Sequence, residues 1–277
     1  MYLSYWGLGE SPFRANLDAR SFHQGLAQEE SLARLHFLVD ERRTLGLLVG
    51  ASGSGKSMLL EVLARRLSRI KTQTALLRVA GIDLHEFLWL AAGQLGVEVS
   101  PNASQFTLAR TVVDHLIANR YQQIASVLLI DDADEAREDV LVEVARLAQI
   151  NVDRNAQITI VLSAQPNRIN RIGPRLLDLA ELRIDVEPWE EDETSAYVKA
   201  SLARAGRSTP AFNDAALARL HELSGGIPRR VQQLADLALL AGAGQNLGQI
   251  DVEVIDTVIG ELGVVTQSGA KLANAWR

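Results

Sequence analysis

The sequence contains no cysteine. That absence excludes disulfides and thiolate-held metals, and it suits a reducing compartment. Aromatic residues make up 5%, and the four tryptophans, Trp6, Trp89, Trp189 and Trp276, lack the pattern of a platform for stacked bases. None of the five histidines pairs with another at metal-ligand spacing. No apolar run approaches the roughly 20 residues of a membrane span. The opening Met1-Tyr-Leu-Ser-Tyr-Trp6 lacks the basic start and apolar stretch of a secretion signal. Positive charge is not in excess either. The net charge of −6 means that DNA binding would need a local basic surface, which assembly into a ring or filament would favour. The densest basic stretch, Arg65-Arg66, Arg69 and Lys71, reads first as a solvated helix face. The expectation is a cytoplasmic chain with no direct membrane insertion.

What is present is more specific. Gly50, Ala51, Ser52, Gly53, Ser54, Gly55, Lys56 and Ser57 form a complete phosphate-binding loop, G-x-x-x-x-G-K-[ST]. The apolar run Thr44-Leu-Gly-Leu-Leu-Val49 leads into it, and an amphipathic segment from Met58 to Leu67 leaves it. Glycines let backbone N–H groups curl around phosphates, and the following helix adds its positive end. The nucleotide-contacting stretch is therefore Gly50 to Met58. Lys56 is expected to reach the β- and γ-phosphates of ATP, and the Ser57 hydroxyl to hold Mg²⁺.

The 277 residues, 47% of them hydrophobic, suffice for a nucleotide-binding core and a companion domain. Residues 1–43 read as a lead-in packing near the nucleotide, with a helix from about Gln28 to Arg42. Strands are predicted at 44–49, 74–79, 126–130, 157–162 and 182–186. Helices are predicted at about 56–70, 84–96, 106–122 and 136–150. Strands alternating with helices imply an α/β core over 44–188, with a five-stranded parallel sheet covered on both faces. After Pro188 the strands stop. Helices are predicted at 190–205, 213–224, 228–242 and 251–262, forming a small all-helical lid over 189–262. Gly206, Asn213 or Asp214, Gly225-Gly226 and Asp251 supply their boundaries. The tail, 263–277, has no period and reads as loose.

A phosphate loop needs a metal-holding carboxylate at the end of a buried strand, and Ile130-Asp131-Asp132 supplies one. Asp131 is assigned to Mg²⁺ and Asp132 to polarising the attacking water. Asp134 and Glu135 read as solvated loop acids. Ser163 and Gln165, after the next strand, would position water or sense the γ-phosphate. The competing reading there is an ordinary turn before a helix started by Pro166. Arg175 and Arg183 flank the last core strand; an arginine in this region can reach a neighbour's γ-phosphate. In Gly225-Gly-Ile-Pro-Arg229, Pro228 fits the first turn of a helix and fixes Arg229 at its start.

Together these residues resemble AAA+ ATPases, in particular the ExeA-like group related to general secretion pathway protein A. The resemblance rests on Tyr5-Trp-Gly-Leu-Gly-Glu-Ser-Pro-Phe13, Gly50 to Ser57, Leu128-Leu-Ile-Asp-Asp-Ala133, Ala164-Gln-Pro166, Glu193-Thr194 to Tyr197, and Gly226-Ile-Pro-Arg229. It implies a P-loop NTPase with a helical lid, binding ATP and Mg²⁺ and forming a nucleotide-dependent homo-oligomer. It makes Arg229 a sensor of nucleotide state and favours Arg183 over Arg175 as the intersubunit finger. It also implies an assembly or regulatory motor for a secretion, pilus or polysaccharide-export system, working with an envelope-associated protein partner at the inner face of the membrane. Asp132 stands where the family usually has glutamate, one methylene longer, and a misplacement of ~1 Å can cost ~10²-fold in rate. An ATP-binding scaffold with little turnover is thus an alternative. The same core resembles the TnsC and TniB type of transposition regulator, which makes an ATP-dependent, DNA-bound switch another.

Overall fold

The computed structural model describes residues 2–13, 22–23, 25–68, 72–100, 102–150 and 158–260. The chain divides into two units, one formed by Leu17–Glu187 and the other by Met1–Asn16 together with Pro188–Arg277. The lead-in is therefore not one element, because its opening residues pack with the helices that follow Pro188. Arg69, Lys71 and the tail at 263–277 fall outside the described residues.

The first unit is built on five parallel strands, β1 (Leu45–Gly50), β2 (Thr72–Arg78), β3 (Ala125–Asp131), β4 (Ile158–Ala164) and β5 (Leu182–Val186), in the order β2-β3-β4-β1-β5. β1, β4 and nearly all of β3 are buried, which is why they read as continuous apolar runs. Their residues still alternate between two cores. Leu45, Leu47, Leu128, Ile130, Ile160 and Leu162 pack with helices α4 (Leu84–Gln94), α5 (Gln105–Tyr121) and α6 (Glu138–Ala148). Leu48, Val127, Leu129, Val161 and Ile184 pack with α2 (Leu26–Asp40) and α3 (Lys56–Leu67). The register sets Leu47 opposite Leu162 and Leu128 opposite Ile160, so both faces are continuous across strands. A short helix, α7 (Pro174–Leu179), precedes β5. Pro166 starts no α-helix; a turn and a 3₁₀ stretch, Ile169–Ile172, occupy that region.

The second unit is helical. It contains α1 (Tyr2–Trp6), α8 (Glu191–Arg204), α9 (Asp214–Ser224) and α10 (Pro228–Gly244), with a further helical stretch over 252–260. Asn213, not Asp214, caps α9 by accepting from the Ala216 N–H at 2.7 Å. Asp251 accepts from the Val254 N–H, capping the last helix.

The opening motif belongs to this core. Trp6 is buried, and its Nε1 donates to the Leu239 carbonyl at 2.7 Å. The Arg207 guanidinium stacks 4.9 Å from the Trp6 ring centroid and donates to the Trp6 carbonyl. Tyr2 donates to Asp236 at 2.7 Å, and the Gly9 N–H donates to the Ala205 carbonyl at 2.8 Å. Among the described residues, no helix is long and apolar enough to cross a membrane.

Gly225 and Gly226 separate α9 from α10 by different means. Gly225 is the left-handed C-cap of α9, with open space where a Cβ would sit. Gly226 has φ of +67°, and a Cβ there would lie 2.1 Å from the Trp189 carbonyl oxygen. Gly226→Ala is therefore expected to cost about 3 kcal/mol or more, from backbone strain and overpacking together. Gly225→Asn is expected to cost less than about 1 kcal/mol, because asparagine tolerates the left-handed region. Urea denaturation of both variants checks this. Equal losses would mean that the Trp189 contact does not constrain position 226.

Candidate nucleotide site

Three strands end at one edge of the sheet and carry the site residues. β1 ends at Gly50, β3 at Asp131 and β4 at Ala164. In open parallel sheets, ligands bind outside these carboxyl ends.

The phosphate loop joins β1 to α3. Gly53 and Gly55 have φ of +83° and +103°, a region that glycine enters without the Cβ penalty. Helix α3 starts at Lys56 behind Gly55, with no side chain capping it, so its leading N–H groups suit an anion. A Cβ on Gly50 would lie 2.5 Å from Ser54 Oγ and 3.0 Å from Val186 Cβ. The tight turn therefore requires glycine at the loop's first position. Lys56 is only 6% exposed, and its ammonium donates to the Gly50 and Ala51 carbonyls at 2.8 and 3.1 Å. Ser54 Oγ is buried without a hydrogen-bond partner.

The acids lie at the end of β3. Asp131 is buried and accepts a hydrogen bond from Ser163 Oγ at 2.6 Å. The same hydroxyl accepts from the Asp132 N–H at 2.8 Å. Ser163 therefore acts on the acids themselves, joining the ends of β3 and β4, rather than facing outward to hold water. Gln165 is half-buried on the turn beyond it. Asp132 has φ of +56° and ψ of +43°, a left-handed conformation in which Asp is among the enriched non-glycine residues. Burial first, then the charges of Asp131 and Glu135, hold its carboxyl above the usual carboxylate range; Lys56 opposes the shift and Asp134 adds to it.

Asp134 is not a solvated loop acid. It is buried on the 3₁₀ turn Ala133–Glu135, and Arg168 stands beside it. Sequence reasoning missed this because burial at one residue of a turn depends on what the distant β4 loop lays over it.

The arginines are placed as follows. Arg183 lies within β5, not beside it, and makes a bidentate contact with Asp185 two residues on. Both side chains are about half exposed on an edge strand. Arg175 is on α7 and donates to Gln149 at 2.6 Å. Arg229 is exposed in the first turn of α10, in the helical unit.

The donor set fits a magnesium-bound polyphosphate. Positive-φ glycines, an uncapped helix start and a buried lysine suit phosphate oxygens. Ser57 and Asp131 offer hard oxygen ligands. Among the described residues, no group of three or more His, Asp or Glu side chains is placed to hold a metal. Magnesium suits such a place, because it binds through one or two protein oxygens together with substrate phosphates.

Fold and loop together define a P-loop NTPase of the AAA+ type, with a five-stranded parallel sheet and a helical C-terminal part. The AAA domain family matches residues 39–172. In sequence the chain is similar to the ExeA-like AAA+ proteins. It is 30% identical over 247 residues to general secretion pathway protein A of Aeromonas hydrophila, a match covering 87% of this chain but 45% of that protein. The chain thus spans about half the length of that relative. The fold is similar to Orc1 of Aeropyrum pernix, solved in complex with DNA, with a TM-score of 0.65, 17% identity, and coverage of 85% of this chain and 65% of that one. Cdc6p of Pyrobaculum aerophilum gives 0.64 at 19% identity, covering 87% and 67%. The RuvB Holliday junction branch migration motor of Thermotoga maritima gives 0.54 at 15% identity, covering 85% and 69%. At these identities the structural likeness is one of fold.

Ser163→Ala removes the hydroxyl that serves both Asp131 and the Asp132 N–H. Two buried groups then lose their partner, and the variant is expected to lose about 1–3 kcal/mol of stability. A shift in the urea midpoint measures it. An unchanged midpoint would mean that the two strand ends do not depend on this hydroxyl.

Proposed function

We propose that the protein binds ATP with Mg²⁺, hydrolyses it, and uses the cycle to drive assembly or regulation of a protein partner in an export system of the cell envelope. The observation that carries the hydrolytic part is the pairing of a phosphate loop with Asp131 and Asp132 at one edge of the sheet, tied together by Ser163. Backbone N–H groups at the start of α3 and the Lys56 ammonium would hold the β- and γ-phosphates. Ser57 and Asp131 would hold Mg²⁺. When bound, the ion neutralises charge on the phosphate oxygens. Asp132 would take the proton of the attacking water, a role suited to a carboxyl held above its usual range. Arg229 is assigned the sensing of nucleotide state by the family resemblance alone.

The export role is supported by the likeness to general secretion pathway protein A, half of whose length this chain spans. A place at the inner face of the membrane, reached through a partner, is part of the same proposal. The DNA-bound regulator has less support. The likeness to DNA-bound Orc1 is at 17% identity, and the net charge is −6.

Hydrolysis is tested by single turnover of saturating ATP. Asp132→Asn is expected to bind ATP normally and to turn over at least about 100-fold more slowly, since an amide cannot accept the proton. Asp132→Glu is expected to raise turnover by restoring reach, at a stability cost of about 1–2 kcal/mol for its left-handed backbone. Lys56→Ala should lose tight ATP binding with an unchanged circular dichroism spectrum. Equal rates in wild type and both Asp132 variants would remove the carboxylate from the mechanism and leave the scaffold reading.

Assembly is the second test. Arg183 lies on an edge strand, where a neighbour can approach, and a finger in trans is worth roughly 10³–10⁵ in rate. Light scattering is expected to show larger species with a slowly hydrolysed ATP analogue than with ADP, and Arg183→Ala to abolish that difference. A monomer under every nucleotide condition would refute it. DNA-dependent assembly, lost as salt rises, would favour the transposition-type reading.

A further inference from the structure

Arg168 belongs to none of the sequence motifs. It sits on the turn after β4, half-buried, and faces the acids after β3. Its Nη1 donates to Glu135 Oε1 at 2.5 Å, and its Nε stands 3.6 Å from Asp134 Oδ2. The Asp134 side chain is fully buried, and neither of its oxygens accepts a hydrogen bond. A carboxylate in that position is costly unless a cation compensates it. Arg168 supplies the compensation from another loop.

The two acids occupy the 3₁₀ turn directly after Asp132. A left-handed dihedral at a residue with a Cβ persists only where its surroundings over-determine it. On one side, the Asp132 N–H donates to Ser163 Oγ at 2.8 Å. On the other, the Asp132 carbonyl accepts from the Glu135 N–H at 2.9 Å, which closes the turn. Arg168 grips that turn by both Asp134 and Glu135. The loops after β3 and β4 are thus joined twice, once by a hydroxyl at the strand ends and once by a guanidinium beyond them.

We propose that Arg168 is a positioning residue for hydrolysis: by pairing with Asp134 and Glu135 it ties the β4 loop to the turn that holds Asp132 in its left-handed conformation. The hydrolytic role rests on the reading of Asp132 given above; the structural tie does not. Arg168 acts through the turn and leaves phosphate binding to the β1 loop. Its loss should therefore act on the chemical step and not on ATP affinity.

The test uses the full chain and four variants: Arg168→Ala, Arg168→Lys, Asp134→Asn, and the double variant with Arg168→Ala and Asp134→Asn. Hydrogen–deuterium exchange of the nucleotide-free protein reads the turn directly. In Arg168→Ala, amides at 132–136 are expected to exchange about 10-fold faster or more, with β1 and α10 within about 2-fold of wild type. Single-turnover hydrolysis should fall about 10-fold or more while ATP affinity stays within about 3-fold, and Arg168→Lys should recover part of the rate. In the Asp134→Asn background, Arg168→Ala should cost less than it does in wild type, because no buried charge is left to compensate and only the part-exposed Glu135 pair is then lost. Wild-type exchange in Arg168→Ala, or fully additive effects of the two substitutions, overturns the proposal. If Arg168→Ala does not fold, a double variant that folds supports it, and a double variant that fares no better overturns it. If wild type does not hydrolyse ATP, the proposed function fails, while exchange and the double-variant cycle still decide whether Arg168 holds the turn.

Discussion

In a parallel sheet every strand ends at the same edge, and the rest of this site depends on that constraint. The order β2-β3-β4-β1-β5 sets β4 between β3 and β1. The loop after β1 can offer backbone N–H groups and a lysine, while the loops after β3 and β4 bring carboxylates and a serine to the same edge. An antiparallel neighbour would send one of these sets to the opposite edge. The cost of parallel pairing is that each return needs a crossover, here supplied by helices packed on both faces. Those helices bury β1, β3 and β4, and burial makes the strands apolar from end to end. One geometric rule thus accounts for the strand sequences and for the gathering of polar residues at their ends.

That edge carries an electrostatic burden. Asp131, Asp132, Asp134 and Glu135 lie within five positions of one another, and Asp131 and Asp134 are buried. Crowded carboxylates in low dielectric repel one another and disfavour their own charged forms. Each is met by a group from elsewhere in the chain. Ser163 donates to Asp131, Arg168 pairs with Asp134 and Glu135, and the Lys56 ammonium favours the charged form of Asp132. Burial and the neighbouring acids still hold the Asp132 carboxyl above its usual range. That acid is the one assigned to accept a proton.

Much of this was legible in the sequence, and the reason differs by feature. The phosphate loop could be read because its chemistry is local: spacing, glycine and lysine suffice. The five strands could be read because burial on both faces leaves a continuous apolar run, with boundaries within a few residues of those observed. The caps at Asn213 and Asp251 are equally local. The burial of Asp134 was not legible, because the residue lies in a polar run and only the β4 loop, more than thirty positions away, decides its environment. Ser163 could be placed near the site, but its use as a bridge between Asp131 and Asp132 depends on strand order. The lead-in read as one segment because no local signal marks a change of partner near Asn16. Trp6 is held by Leu239 and Arg207, contacts made across more than two hundred positions.

The same long-range pairing explains why Gly-Gly-Ile-Pro-Arg is more than a helix break. The chain passes from the α/β unit into the helical unit at Pro188. The next residue, Trp189, donates its N–H to the Gly226 carbonyl at 2.9 Å, and the Trp189 carbonyl lies where a side chain at 226 would be. Backbone at the crossing therefore packs directly on backbone at the start of α10. Two residues on, Pro228 opens that helix with its φ already fixed, and Arg229 follows. Between the crossing and Arg229 there is thus one close backbone contact and one rigid helix start, with no flexible side chain in the path. Glycine at 226 is the residue that lets these two backbone segments of the helical unit approach so closely.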